Sequence, residues 1–442
     1  MRLLEITTGV AALLGAGFVQ AEVPQLPVPA SCSGVTASTY QNTVASGWKM
    51  MKIAGNLKQV RTIVFDPLGN MLVSEATKGL SVHTFGTNGC INSSTTLVSN
   101  NQLNHGLAIT PDGKTVYASS ERTAWSWAYD PATRQVSGQK VVVNGMDTGI
   151  HSTRNLLVVP SQPNMILLQV GSNANLDMAA ADKATGRAII KIFDVSKAPA
   201  NGFNYKTDGE VFGYGLRNEI GFTTDPNGMV WGVENSGDDL TRTTNGRRAD
   251  IHIDNPGEKL NFLGDPLKIR DAWYGYPTCF SVWDPSSFAG ETPALKTGSH
   301  FVLAPNATYT DANCASASKP RLSFQAHSAP IWNTFDADAK NMYVTFHGSW
   351  DRQPATGFKV VQIPFTKLDN GQYDPVAPAD SMKGYNDIFS ASNPASCTAN
   401  GLTQSNCFRL TAATWDPAGR GLFVGSDNSK EGEIYLLTPP AK

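Results

Sequence analysis

One hydrophobic–polar pattern recurs along the chain: an apolar run, a polar turn, then a second apolar run. It first appears as Thr62–Phe65, the turn 66–70 and Met71–Ser74. It returns as Leu107–Ile109, the turn 110–114 and Val116–Ala118. A weaker copy has Leu156–Val159, the turn 160–164 and Ile166–Leu168. The last three copies turn at 225–228, 336–341 and 416–419, before Met229–Trp231, Met342–Val344 and Leu422–Val424. Asp, Pro and Gly in these turns favour tight reversals, and the flanks carry the β-branched and aromatic residues that strands favour. Six hairpin units with few amphipathic helical stretches predict an all-β fold, a six-bladed β-propeller with long loops on one face. A β-sandwich or two small β domains is the alternative, and the number of copies argues against it. The widest gap, between the fourth and fifth turns, holds a Pro- and Ser-rich stretch around 255–330 that reads as those loops.

The amino terminus changes the picture. Arg2, the apolar run Ile6–Val19 and the small-residue pattern at 19–21 read as a signal peptide over 1–21, which leaves 22–442 as one secreted propeller domain. The run is too short and Gly-rich to span a bilayer, and no later stretch is long and apolar enough. Six cysteines behind a signal peptide point to disulfides; none forms a CxxC pair, and of fifteen pairings the sequential one is expected: Cys32–Cys90, Cys279–Cys314 and Cys397–Cys407. Asn92 and Asn306 open two glycosylation sequons. With 16% charged residues and a net charge of −2, there is no basic block to neutralise phosphates. A small neutral ligand fits better than nucleic acid or a membrane, and a monomer is the default.

Several residues stand apart from the repeat. His83, His252 and His300 lie in unremarkable contexts, and His105 reads as structural. His151 sits where a loop enters an apolar strand, a place from which a neutral imidazole acts as a general base. Gly213–Glu219 presents Arg217 and Asn218 behind glycines, suited to a planar, carbonyl-rich polyanion; the plain alternative is an arginine tied to a blade carbonyl. The loop 234–239 offers hard oxygens for Ca²⁺, though acidic loops are often only solvated. His347, Trp350 and Arg352 form the richest cluster, able to stack on and hydrogen-bond a flat ring. His327 either flanks the same cavity or caps a loop. Trp273, Tyr274, Tyr276 and Trp283 either wall a sugar site or pack their own loop.

Taken together, the motifs at 151–154, 170–173, 215–218, 326–330 and 347–352 resemble those of the soluble quinoprotein glucose and sorbosone dehydrogenases. They look closest to the fungal pyranose dehydrogenases of the twelfth auxiliary-activity family, over about 50–440. The resemblance implies pyrroloquinoline quinone (PQQ) and Ca²⁺ as cofactors. It makes His151 the general base and Arg61, Arg217, Asn218, His347, Trp350, Arg352 and Arg409 contacts of PQQ. Ser236 and Gly237 would offer calcium their carbonyls, although Asn235 and Ser236 depart from the form found in the bacterial glucose enzymes. The substrate would be an aldose or 2-keto sugar. Electrons would pass to a separate acceptor, a cytochrome domain or small quinone, in support of a copper monooxygenase. A Ca²⁺-dependent propeller lactonase shares the fold but needs no ring-stacking pocket. A glycan-binding propeller would repeat one motif in every blade, whereas here the unusual residues differ between units.

Overall fold

A computed structural model describes residues 23–268, 271–401 and 403–441; the segment read as a signal peptide lies outside the described residues. Each predicted hairpin is the first strand pair of a blade built on four antiparallel strands, to which blades 2, 3 and 5 add short extra strands. The six first strands are Val60–Phe65, Leu103–Ile109, Leu156–Val158, Glu219–Thr224, Pro330–Phe335 and Leu410–Trp415, which open blades 1 to 6. The weak third copy corresponds to the shortest of these strands. Lys49–Leu57 closes the ring by pairing antiparallel with Gly432–Thr438 as the outer strand of blade 6. Among the described residues all helices are short 3₁₀ turns, and no helix is long and apolar enough to cross a membrane.

The turns form for the reason their composition suggests. In the first, the Asp66 carboxylate accepts from the Leu68 and Asn70 backbone N–H groups, both at 2.9 Å, while Gly69 takes a positive φ of 80°. Asp225, Asp336 and Asp416 make the same kind of turn-closing bond in blades 4, 5 and 6.

The apolar core is divided rather than central. Blade 1 meets blade 2 through Leu72, Leu80, Leu107 and Trp125; blade 3 meets blade 4 through Leu167, Ile190, Phe222 and Leu263. Like clusters fill the other four inter-blade seams. The long gap after the fourth turn holds two excursions from blade 4. They carry their own small core of Leu240, Ile251, Tyr276, Phe280, Val282, Phe288 and Phe301.

All three disulfides pair sequentially, as expected, and no cysteine is free. Cys279–Cys314 braces the second excursion. Tyr274 and Tyr276 are buried in packing, so their role is the structural one.

Asp66 also accepts from the Tyr129 hydroxyl of blade 2 at 2.8 Å, which makes it both turn closer and seam contact. Asp66→Ala should therefore lower stability by about 2–3 kcal/mol. A urea titration checks this as a lower midpoint at unchanged slope.

Candidate functional site

The first-to-second-strand turns occupy one face of the ring. The connections from second to third strand, and from each blade to the next, therefore occupy the other. That second face holds a cavity of about 870 Å³ of empty space, part of it open to solvent. Its lining comes from those connections: Ile150–Thr153, Arg217–Asn218, Asn235–Ser236, Asp238, His327, Ala329, His347–Trp350 and Arg409.

The first strands contribute through a repeated irregularity. In five of the six blades the pairing of first and second strand slips near the cavity end, at Arg61, 104–106, Ile220, Ile331 and Thr411. Such bulges re-aim a side chain. Here Arg61, Ile220 and Ile331 are turned into the lining.

His151 projects from the connection between blades 2 and 3. Its Nδ1 lies 2.9 Å from the Ser172 carbonyl and 3.0 Å from the Ser172 hydroxyl. A carbonyl can only accept, so Nδ1 carries the proton and Nε2 keeps its lone pair. Burial, reinforced by the Arg217 charge, pulls the His151 pKa down to about 3, so the ring is neutral at ordinary pH. Arg154, fully buried, clamps the loop by donating to the carbonyls of Glu121, Asp147, His151 and Thr153. Gly171 lets the ring sit close: a Cβ there would lie 2.8 Å from the His151 Cβ and 2.9 Å from the Asn218 Oδ1.

Across the cavity lies a charge network shared by three blades. The buried Asp427 carboxylate pairs with the Arg61 guanidinium and, at 2.7 Å, with the His347 Nε2. Burial alone would raise the Asp427 pKa, but His347, Arg61 and Arg409 hold it down to about 2. Arg61 also donates to the His105 Nδ1 at 3.2 Å, and Arg409 donates to the Gly348 carbonyl at 2.8 Å.

A second network organises the loop after blade 4's second strand. Arg217 donates to the Ser236 carbonyl, to Asn175 and, at 2.7 Å, to Asp238. Asp238 also faces His327, whose ligand atom lies with those of Asp238 and Asp351 inside a 4.8 Å cluster. Burial works against charging His327, yet Asp238, Glu258 and Asp351 hold its pKa above the ordinary value. Glu258 accepts from the Ser236 N–H at 2.6 Å, and burial pushes its pKa up to about 7.

The structure thus brings Arg61, His151, Arg217, Asn218, Ser236, His347, Trp350 and Arg409 to one cavity. Two expected residues are not in the lining. Gly237 packs beneath the loop toward Leu240 and Phe280. Arg352 donates to the carbonyls of Ile253 and Pro354 and to Asp254. None of Trp273, Tyr274, Tyr276 and Trp283 lines the cavity. Trp350 does, but stands 58% exposed at the mouth. Sequence reasoning missed Asp427 and Glu258, and it included Asp238 and Gly171 only within the loop 234–239 and the motif 170–173, without a role of their own. A positional signal existed for Asp427: like Gly171 and His347, it directly follows the second strand of a blade.

The residues fit the two cofactors that the resemblance implies. Arg61, Arg409 and Asn218 supply donors for a planar tricarboxylate. Asn235 O, Ser236 O and the Asp238 carboxylate are hard oxygens already gathered around a positive charge, the donor type Ca²⁺ takes.

Fold and site define a class: six-bladed propellers with a single arginine- and histidine-lined hub. Residues 42–440 match the family model for TrAA12-like proteins, and the chain belongs to that family. It is 40% identical over 411 residues to the pyrroloquinoline quinone-dependent pyranose dehydrogenase of Coprinopsis cinerea, covering 92% of this chain and 56% of that protein. The chain therefore spans about half the length of that relative. It resembles the holo form of the pyranose dehydrogenase PQQ domain from Coprinopsis cinerea, with 39% identity and a TM-score of 0.88, covering 92% of this chain and 99% of that one. The calcium structure of the Trichoderma reesei family AA12 enzyme is also similar, with 36% identity and a TM-score of 0.82, covering 91% of this chain and 98% of that one.

Gly171→Ala should push His151 or Asn218 from its place and lower stability by about 1–3 kcal/mol. Denaturant unfolding measures the loss, and a crystal structure of the variant should show the ring displaced.

Proposed function

We propose that the chain is a secreted, PQQ- and Ca²⁺-dependent dehydrogenase of pyranose sugars. The observation that carries this reading is His151, a neutral imidazole fixed with Nδ1 on Ser172 in the same cavity as Arg61, Asn218, His347 and Arg409. The names of the relatives support the cofactor and the sugar class, and the three disulfides accord with an oxidising compartment.

In this reading Arg61, Arg409 and Asn218 bind the cofactor's carboxylates and carbonyls. Arg217 acts mainly by tying Asn175 to the loop of Ser236 and Asp238, whose oxygens would hold calcium. When bound, the quinone supplies a hydride acceptor and Ca²⁺ a Lewis acid. The His151 Nε2 takes the proton of the sugar hydroxyl as the carbon bearing it loses hydride. Ser172 keeps the imidazole in the tautomer that can do so, and its carbonyl accepts from the Nδ1–H as the ring becomes charged. Trp350 offers an exposed aromatic face for the sugar at the mouth. The electrons then leave to an external acceptor, a cytochrome domain or a small quinone.

The test is to titrate cofactor-free protein with PQQ, with and without Ca²⁺, and then add sugars while following the quinone absorption. Calcium-dependent binding with sugar-driven bleaching supports the reading; no binding overturns it. His151→Ala should still bind PQQ yet bleach about 10²–10⁴-fold more slowly. Because the folded pKa of His151 is lowered, the base stays unprotonated well below pH 6.5. The acid limb of kcat/KM should therefore lie below pH 5, and a limb near 6.5 would assign the base elsewhere.

A further inference from the structure

Asp427 is sealed in the hub at the end of blade 6's second strand and is acceptor-only when ionised. One of its oxygens takes the Arg61 guanidinium, and the other lies 2.7 Å from the His347 Nε2. An ionised carboxylate on Nε2 obliges that nitrogen to be the donor. In the neutral ring, Nδ1 is then an acceptor. No side chain or backbone group of the described residues bonds Nδ1, it is not among the atoms sealed without a partner, and the open space beside His347 is the cavity. Burial first, and Arg409 next, pull the His347 pKa down to about 4, which keeps the ring neutral.

We propose that Asp427 is a positioning residue that makes His347 a hydrogen-bond acceptor in the same cavity as the donors Arg61 and Arg409, and that this acceptor takes the ring N–H of the bound cofactor. The inference rests on the PQQ reading above. Its chemical basis is the edge of the cofactor itself: in PQQ the pyrrole N–H lies between two carboxylates. That edge carries two acceptors and one donor, and the cavity offers the donors Arg61 and Arg409 and the acceptor His347. A second arginine at 347 would bind a carboxylate but repel the N–H, and a protonated histidine would do the same. The Asp427 carboxylate therefore does more than balance Arg61. It sets which edge of a flat, nearly featureless ring system the hub accepts.

Two measurements test this. The first needs no cofactor: ¹⁵N–¹H correlation spectra of protein labelled at histidine nitrogen, at neutral pH, assigned by His347→Gln. The expected result is Nε2–H with a bare Nδ1, and Asp427→Asn should shift the ring toward the Nδ1–H tautomer. A wild-type ring protonated at Nδ1 would overturn the proposal. The second is PQQ affinity by fluorescence titration without sugar, compared with a PQQ derivative methylated at the pyrrole nitrogen. His347→Gln keeps an amide donor for Asp427 but places nothing at Nδ1. It should bind PQQ about 10- to 100-fold more weakly and discriminate less against the methylated compound. Equal PQQ affinity in wild type and variant, or unchanged discrimination, would overturn the ligand assignment. Wild-type protein that binds no PQQ would overturn the cofactor reading and the ligand assignment together, while the tautomer result would stand or fall separately.

Discussion

Six twisted sheets arranged in a ring cannot fill their own axis with apolar side chains from the first strands alone. The hub of this protein is closed with charge instead. Partners come from different blades: the Arg61 guanidinium of blade 1 and the neutral His347 ring of blade 5 both meet the Asp427 carboxylate of blade 6. Arg217, between blades 3 and 4, meets Asp238, which also faces His327 from the connection to blade 5. Desolvating these groups is costly unless they are paired, and removing one partner of such a pair typically costs about 3–5 kcal/mol. The hub therefore fixes how the blades sit relative to one another. The apolar seams between blades supply the bulk of the burial.

In the proposed function the same charges would make the hub a ligand site. A cavity lined by guanidinium groups, neutral imidazoles and carbonyls is poorly matched to water alone and well matched to a flat polyanion with a hard cation. In that reading function and ring closure draw on one set of residues. The division of labour between faces follows from this. One face carries regular, Asp-closed turns that anyone of several sequences would satisfy. The other carries irregular connections whose glycines and buried arginines hold side chains against each other, as Gly171 and Arg154 do for His151.

That division also explains what could be read from the chain in advance. The turns at 66–70, 110–114 and 225–228 announce themselves because Pro, Gly and Asp act locally, and so the blade count was legible. The sequential pairing of the cysteines was one expectation among fifteen, and it is the pairing found. The motif residues His151, Asn218 and His347 were legible through family resemblance, but not their partners. Asp427 stands in an ordinary-looking Ser-Asp-Asn run and gains its role from Arg61, 366 positions away in sequence. Arg352 shows the converse. It sits two residues beyond Trp350 in the richest cluster, yet the chain turns there and spends its guanidinium on the carbonyls of Ile253 and Pro354. Periodicity reports neither the turn nor the long-range partner.

In the proposed function one hub cavity, between His151 on one side and the Arg61–Asp427–His347 network on the other, holds the quinone with calcium at the Ser236–Asp238 loop. The most direct measurement is a crystal structure of the protein loaded with PQQ and Ca²⁺, with the cation placed by its anomalous signal. The ring system should lie in this cavity, its carboxylates on Arg61 and Arg409, and the ion on oxygens of the 235–238 loop. A ring system bound elsewhere, or a cavity left empty in crystals of protein shown to carry one equivalent of PQQ, would contradict it.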